Sequence, residues 1–247
     1  MPVYRLDLAY DGTGFRGYAR QDGVRTVQGE LEGALATLLK ADVETSVAGR
    51  TDAGVHALGQ VVSFPFDGDV DLERLPRAMN GIVGPELVVR TASVAPDDFS
   101  ARFSAVWRRY RYLIEMGPPN PLARTFVWGV GQTLDVDTMA RIAPAFLGEH
   151  DFASFCRSSD GKSTVRSVTE LEVKPDATSL AIWIQANAFC HQMVRSIVGY
   201  LYDVGRGFSD SSLVQEVIAA RDRSRVATVA PPHGLTLMGV GYASDAL

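Results

Sequence analysis

The chain has 247 residues, of which 46% are hydrophobic and 21% are charged, so it can bury a core and is not expected to be disordered. Its formal net charge is −5, from 24 basic and 29 acidic residues, which argues against a histone-like basic protein. A negative total does not exclude a nucleic-acid partner, because binding depends on a local positive surface. Residues 101–125 provide such a segment, with five arginines and one glutamate.

The basic residues are 21 arginines and only three lysines. Arginine presents a planar fork that suits phosphate, although a codon bias produces the same skew. The two cysteines are too few for a disulfide framework, and no paired His or Cys spacing suggests zinc. Charges interrupt the apolar residues at the start of the chain, and no 18-residue apolar run occurs. We therefore expect a soluble, cytoplasmic protein without a membrane or metal partner.

Hydrophobic periodicity predicts a similar order of elements in the two halves of the chain. The first half is predicted to contain strands at 3–10, 43–48, 60–66 and 86–94 and helices at 27–40 and 71–81, with Thr26 as a helix N-cap. The second half is predicted to contain strands at 104–115, 166–174, 179–187 and 236–242 and helices at 135–147, 190–205 and 211–220. The pattern predicts an α+β fold, mostly antiparallel, with helices on one face and the other face left for a ligand. Two domains are expected, 1–104 and 105–247.

Residues 12–17 read Gly-Thr-Gly-Phe-Arg-Gly and match the GxGxxG pattern of dinucleotide-binding turns. Such a site needs a helix that begins at once, so that the helix N-terminus meets the pyrophosphate. Asp22 and Gly23 interrupt the chain soon after Gly17, and the next helical pattern begins near residue 27. The sequence therefore favours a glycine-rich turn over a nicotinamide-dependent enzyme.

Residues 49–57 read Gly-Arg-Thr-Asp-Ala-Gly-Val-His-Ala and lie between two predicted strands. Glycine lets the backbone approach a ligand closely, and a carboxylate held near arginine stays ionised and can act as a nucleophile or base. The structural alternative is that Asp52 caps a turn while Arg50 is solvated. Spacing alone leaves both interpretations open.

Residues 107–112 interleave basic and aromatic side chains, and strand alternation places Arg108, Tyr110 and Tyr112 on one face. Aromatic rings stack on extruded bases while arginine binds the RNA backbone. The alternative is a set of cross-strand aromatic pairs within a sheet. This segment alone does not decide between the two.

The helix predicted at 190–205 has a core stripe of apolar residues, with Arg195 on its flank. The stripe consists of Met193, Ile197, Leu201 and Val204. An arginine at the border of an apolar face needs a partner, since a buried unpaired charge is costly, and Asp52 is the candidate. The alternative is that Arg195 extends to solvent.

Together these segments resemble the tRNA pseudouridine synthase A family over nearly the whole chain. The matching motifs, in the family's order, are residues 26–31, 49–57, 97–104, 109–112, 187–189 with 193–195, and 234–237. One departure is the run Gly17-Tyr18-Ala19, where the family usually has a Gly-Trp-Gln run. The resemblance implies two ferredoxin-like halves that share one sheet with an RNA-binding cleft, a homodimer, and no cofactor.

The implied activity is isomerisation of uridine to pseudouridine at positions 38–40 of the tRNA anticodon stem-loop. Asp52 is implied as the catalytic carboxylate, Tyr110 as the ring that stacks on the target base, and Arg195 as the partner of Asp52. The residues expected to contact or enclose the substrate are Arg50, Thr51, His56, Arg109, Leu235 and Leu237.

One carboxylate suits this chemistry, since the base leaves through nitrogen and rejoins the same sugar through carbon, whereas hydrolytic glycosidases generally use two. The target base must also be flipped out of its stem-loop, at a cost that aromatic stacking partly offsets. Ester and glycal intermediates are both open. A catalytically silent RNA-binding module is the competing hypothesis, and the intact run Arg50-Thr51-Asp52 argues against it.

Overall fold

The computed structural model describes residues 1–157 and 163–243. The chain forms two compact units: Met1–Val106 together with the strand from Thr236 onward, and Trp107–Leu235. The strands are β1 (Val3–Tyr10), β2 (Ser46–Val47), β3 (His56–Pro65), β4 (Leu87–Ala95), β5 (Ala105–Glu115), β6 (Trp128–Gly129), β7 (Gly148–Asp151), β8 (Val165–Asp176), β9 (Ser179–Ala186) and β10 (Leu235–Tyr242). The helices are α1 (Val27–Leu39), α2 (Arg74–Val83), α3 (Val136–Ile142), α4 (Met193–Gly205) and α5 (Val214–Ala220). The predicted α+β class is confirmed.

The sheet of the first unit has the strand order β4-β1-β3-β10, with β2 paired to β3. Its pairs are antiparallel except for β10 on β3, which is parallel. Alternate residues of β1, such as Leu6 and Leu8, are buried, while Arg5 and Asp7 between them are half-buried. Helix α2 packs against β4 and also contacts α1. This alternation gives the sheet one face in the core and one face nearer to solvent.

Strands β3 and β10 approach each other closely at Gly59. A Cβ on this residue would lie 2.5 Å from the carbonyl oxygen of Met238. Only glycine fits without a backbone shift. The return of β10 to the first unit therefore depends on a glycine in the middle of β3.

The sheet of the second unit has the strand order β5-β9-β8-β7, with β6 parallel to β5 and the other pairs antiparallel. The predicted core stripe of α4 is confirmed, because all four of its side chains are buried. Cys156 and Cys190 are joined by a disulfide, with Cα atoms 5.8 Å apart, and the pair links the segment before α4 to an earlier loop. A separation of 34 residues carries no spacing signal, so the sequence did not predict this bond.

Three element predictions are wrong in extent. The strand predicted at 60–66 begins four residues earlier, at His56, so the last residues of the segment 49–57 belong to β3. The strand predicted at 43–48 pairs only over Ser46–Val47, because both the N–H and the hydroxyl of Thr45 donate to Glu32 Oε1 on α1, at 3.0 and 2.9 Å. The helix predicted at 135–147 is α-helical only to Ile142, and a 3-10 turn containing Pro144 follows. The N-cap prediction is confirmed, since Thr26 Oγ1 accepts from the Gly29 N–H at 3.2 Å.

Candidate active site

The loop that carries Asp52 joins β2 to β3 and closes through a tight turn. The Val55 N–H donates to the Asp52 carbonyl oxygen at 3.1 Å. Gly54 has φ of +79° within this turn, in the left-handed region that favours glycine. The Asp52 side chain is half-buried, and Arg50 is exposed. The backbone thus holds a carboxylate at the protein surface with a cation two residues away.

Three buried side chains fasten the residues before Asp52. The hydroxyl oxygens of Tyr10 and Thr51 are 2.8 Å apart. Gln60 Nε2 donates both to Tyr10 Oη at 3.1 Å and to the Gly49 carbonyl oxygen at 2.8 Å. Either hydroxyl can be the donor in the bond between Tyr10 and Thr51, since each carries one proton and can also accept. This network ties the start of the loop to β1 and β3.

Burial raises the pKa of Tyr10 to about 12, against the opposing effect of its hydrogen bonds with Thr51 and Gln60. A tyrosine that titrates there is neutral at physiological pH. Tyr10 therefore holds Thr51 through an uncharged hydroxyl group and brings no charge to the loop.

The glycine-rich turn that matched GxGxxG supports the same loop. Residues 12–14 form a 3-10 turn, and the following helix begins only at Val27, which confirms that no dinucleotide-binding helix follows. A Cβ on Gly12 would overlap the Val55 carbonyl, and one on Gly17 would lie 3.2 Å from the Thr51 carbonyl oxygen. Gly12 and Gly17 let the backbone of this turn approach the backbone of the Asp52 loop, because a side chain at either position would crowd it.

His56 is at the end of the loop and is only 3% exposed. Its Nδ1 accepts from the Gly12 N–H at 3.0 Å and lies 3.1 Å from Asp11 Oδ1, a contact that becomes an ion pair when the ring is protonated. Leu237 is fully buried on β10, in register with Ala57. His56 and Leu237 therefore support the Asp52 loop from the interior of the first unit.

Tyr110 lies on the buried face of β5, in the second unit, and is 7% exposed. Its ring meets the edge of Phe189 at 5.2 Å with an interplanar angle of 89°. Arg108 on the same face donates from Nη1 to the Asn187 carbonyl oxygen at 2.8 Å. Arg108 and Tyr110 therefore contact the same short segment, 187–189.

Arg109 lies on the opposite face of β5 from Tyr110, as strand alternation requires. Its Nη2 donates to Glu170 Oε1 at 2.5 Å, and its guanidinium carbon is 4.6 Å from the ring centre of Trp183. The structure does not bring Arg109 to the side of the sheet that carries Tyr110. The predicted substrate contact of Arg109 stays a prediction.

Arg195 is half-buried in the first turns of α4. Its Nε donates to the Ala230 carbonyl oxygen at 2.7 Å, and the Ala230 N–H donates to the Arg195 carbonyl oxygen at 3.0 Å. Burial raises the pKa of Tyr112 well above its ordinary value, and the nearby Arg195 charge opposes that rise. A side chain held in this way is fixed within the second unit. Leu235 belongs to this unit and is also buried.

Other candidate features lie elsewhere. A depression of about 520 Å³ between α2 and β4 contains none of the predicted site residues. Across residues 1–157 and 163–243 no group of three or more His, Cys, Asp or Glu side chains is placed to hold a metal ion. In the same part of the chain, no helix has the length and apolar content needed to cross a membrane.

Sequence reasoning missed Tyr10, Gln60 and Arg108 as supports of the site. Tyr10 is 41 residues from Thr51 and 50 residues from Gln60, and Gln60 is 11 residues from Gly49, so no local spacing marks them. Arg108 was assigned to the correct face, but its acceptor is a backbone carbonyl 79 residues away. The only signal for these residues in the sequence is a polar side chain at an inward-facing strand position.

Comparison with known proteins identifies the family. A family model described as tRNA pseudouridine synthase matches residues 8–104 and 142–243. The tRNA pseudouridine synthase A of Frankia casuarinae is 46% identical over 248 residues, covering 98% of this chain and 89% of the relative. That of Streptomyces avermitilis is 44% identical with the same coverage, and that of Caldicellulosiruptor bescii is 37% identical, covering 96% and 98%. The chain belongs to the tRNA pseudouridine synthase family.

Proposed function

We propose that this protein isomerises uridine to pseudouridine at positions 38–40 of the tRNA anticodon stem-loop, with Asp52 as the catalytic carboxylate. The observation that carries the proposal is a half-buried Asp52 on a loop fastened by Tyr10, Thr51 and Gln60, in a chain of this family. A fixed backbone limits the positions that a reacting carboxylate samples, which favours reaction over loss of the intermediate.

The reaction breaks the bond between N1 of uracil and C1′ of the ribose and forms a bond between C5 and C1′. The C5 proton is lost and N1 gains a proton, so the product is an isomer of the substrate. Asp52 serves either by attacking C1′ to give an ester or by removing a proton from the sugar to give a glycal. Both routes need one ionised carboxylate and a site that keeps water from C1′.

Tyr110 is proposed to stack on the flipped base and to assist removal of the C5 proton. Stacking offsets part of the free energy of unpairing, which is a few kcal/mol. The edge contact with Phe189 supports this role, because it fixes the plane of the Tyr110 ring before the base arrives.

Arg195 is proposed to pair with Asp52 and keep it ionised, and its anchored Nε fits a group with a fixed position. Arg50 is proposed to hold the flipped nucleotide. Additional proposed contacts with the substrate or pocket walls are Thr51, His56, Arg109, Leu235 and Leu237. For Thr51 and His56 the burial favours contact through the backbone of the loop.

We also propose that the protein acts as a homodimer in the cytoplasm and uses no cofactor. The proposed Asp52 carboxylate and Tyr110 hydroxyl supply all the acid–base groups that the isomerisation needs. Light scattering after size exclusion tests the dimer: the expected mass is twice the 26.7 kDa of one chain. A mass of one chain at working concentration contradicts it.

Tritium release tests the catalytic proposal directly. Unmodified tRNA labelled at C5 of uridine is incubated with the wild-type protein or with Asp52→Asn, which keeps the size of the side chain. We expect release with the wild type and none with the variant, while tRNA affinity changes by less than about tenfold, or ~1.4 kcal/mol. Turnover by Asp52→Asn removes Asp52 from the mechanism.

A further inference from the structure

Phe103, in the first unit, is a large aromatic side chain that is exposed to solvent. It is 79% exposed, and the guanidinium carbon of the exposed Arg102 lies 5.0 Å from its ring centre. An exposed ring adds little to the hydrophobic stabilisation of the fold. Single exposed apolar side chains are common on protein surfaces, so Phe103 is distinguished by the adjacent guanidinium and by the backbone that holds the ring.

The backbone next to Phe103 is fastened through the N–H and the carbonyl group of one residue, Ala101. The Ala101 N–H donates to Ser63 Oγ on β3 at 3.0 Å, and the Ala101 carbonyl oxygen accepts from the Tyr242 hydroxyl on β10 at 2.8 Å. Ala101 itself is fully buried. The residue two positions before Phe103 is therefore attached to two strands of the sheet.

A second set of hydrogen bonds closes the turn around Phe103. The Ser104 N–H donates to the Ser100 carbonyl oxygen at 2.9 Å, and the Ser100 N–H donates to Ser104 Oγ at 3.0 Å. The Phe103 N–H points to Ser100 Oγ at 3.4 Å. An exposed ring on a fixed backbone loses little freedom on binding, which is what a preformed binding surface requires.

We propose that Phe103 and Arg102 form a stacking platform for an unpaired base of the bound tRNA. The proposal rests on the proposed function, since it names a further contact with the same RNA. Aromatic rings and guanidinium planes are the surfaces on which proteins stack single-stranded bases, and every base has a π face to offer. The platform binds a base and takes no part in bond changes.

The platform serves a nucleotide other than the reacting uridine. The turn is anchored at Ser63, seven residues along β3 from His56, where the Asp52 loop ends. Seven strand residues span about 23 Å. This distance corresponds to several nucleotides of an extended strand, so Phe103 and Asp52 contact different positions of one RNA.

The Phe103 ring offers a stacking surface that carries no charge and cannot bind phosphate. Asp97 and Asp98 are exposed at the start of the same turn. The binding energy from Phe103 is therefore expected to be insensitive to salt. Loss of the ring is expected to lower the affinity for tRNA without changing the slope of log Kd against log salt concentration.

Binding of unmodified tRNA to full-length variants tests the platform. Phe103→Ala is expected to weaken binding about 5- to 150-fold, the range found for loss of one base–aromatic stack. Phe103→Trp is expected to stay within about threefold of wild type, and Phe103→Leu to behave like Phe103→Ala, because leucine is apolar but has no π face. Leu122→Ala, at an apolar side chain that is 90% exposed, is the matched control and is expected to bind like wild type.

Abasic substitutions in the stem-loop locate the nucleotide that stacks. For one unpaired position, the losses from the abasic site and from Phe103→Ala are expected not to add, since each removes the same contact. Additive losses at every unpaired position overturn the platform.

Three other results also overturn it. Phe103→Ala binds tRNA within about twofold of wild type, or Phe103→Leu binds tRNA as tightly as wild type. In the third, Phe103→Ala lowers the mass of the oligomer measured by light scattering without tRNA, which assigns the ring to contact with a second copy of the chain. Tritium release by the wild type is measured in parallel. Its absence contradicts the proposed function, whereas wild-type release with unimpaired binding by Phe103→Ala removes only the platform.

Discussion

The hydroxyl groups of Tyr10 and Thr51 share a buried hydrogen bond of 2.8 Å, and Thr51 is the residue immediately before Asp52. Tyr10 ends β1, and Gln60 binds it from β3, so the Asp52 loop is attached to two strands of the first unit. Because a loop backbone has many accessible conformations, fixing it before substrate arrives lowers the entropy lost in reaching the transition state.

Tyr10→Phe is expected to destabilise the protein and to slow the reaction. Removal of the hydroxyl breaks the bonds of Tyr10 with Thr51 and Gln60, while Gln60 Nε2 keeps its bond to the Gly49 carbonyl oxygen. Loss of a buried hydrogen-bond partner costs about 1–3 kcal/mol of unfolding free energy. The Asp52 loop also loses one of its attachments, so the single-turnover rate is expected to fall. Urea unfolding and rapid-quench tritium release measure the two effects.

Tyr18→Phe is the matched control for this variant. Tyr18 is also fully buried, and its ring centre is 6.4 Å from that of Tyr10. Within the described part of the chain its hydroxyl makes no close hydrogen bond, and the contact with the Thr45 side chain is a weak one that opposes the rise of the Tyr18 pKa on burial. We expect its unfolding free energy to stay within about 0.5 kcal/mol of wild type, since no close hydrogen bond is lost. Equal destabilisation by Tyr10→Phe and Tyr18→Phe contradicts the assigned role of the Tyr10 bond.

Alkaline pH is expected to destabilise the protein partly through Tyr10. Its pKa is raised from 10.0 to about 12 in the folded state, so the stability it contributes is complete below pH 10 and is lost as pH rises through 12. Two pKa units correspond to about 2.7 kcal/mol. In urea unfolding between pH 9 and 12, Tyr10→Phe is expected to show a shallower fall in stability than wild type, and identical slopes contradict the assignment.

Tyr110→Phe is expected to reduce the rate of tritium release while the protein stays folded. The variant keeps the ring and its edge contact with Phe189 but loses the hydroxyl proposed to assist proton removal from C5. Tyr112→Phe, on the same face of β5, loses a bond to the Pro231 carbonyl oxygen and is expected to lower stability but not rate. Unchanged kinetics in Tyr110→Phe leave its ring as a stacking surface only.

The affinity for tRNA is expected to fall steeply with salt concentration. Residues 101–125 carry a net charge of +4, although Arg108 is buried and Arg109 is paired with Glu170. Phosphate contacts made by exposed arginines, such as Arg124, release counterions from the RNA. Filter binding at 50 and 200 mM salt is expected to differ about a thousandfold if six phosphates are neutralised. A flat dependence contradicts a phosphate-binding surface built from the arginines.

The parts of the site that the sequence predicted are those carried by neighbouring residues. The bracketing glycines of residues 49–57 indicated a tight loop, and alternation along β5 placed Arg108 and Tyr110 on one face, as found. The 3.6-residue period likewise predicted the buried stripe of α4, because one face of a regular helix is visible in local spacing.

The parts that could not be predicted depend on residues brought together by the fold. Glu170 binds Arg109 from 61 residues away, and Glu32 turns Thr45 out of its predicted strand from 13 residues away. A side-chain acceptor that competes for a backbone N–H leaves no mark in strand propensity. Such contacts decide where a strand ends and which arginines are paired with an acidic side chain within the protein.

The pairing of β10 with β3 has a consequence for synthesis on the ribosome. Thr236 is in register with His56, so the strand that follows the Asp52 loop gains this neighbour only after about 180 further residues have been made. The second unit is synthesised in between, while the edge of β3 at His56 and Ala57 stays open and β2 covers only Val62 and Ser63. A nascent chain stalled before β10 is therefore expected to expose an unpaired strand edge, which is a target for chaperones and for aggregation.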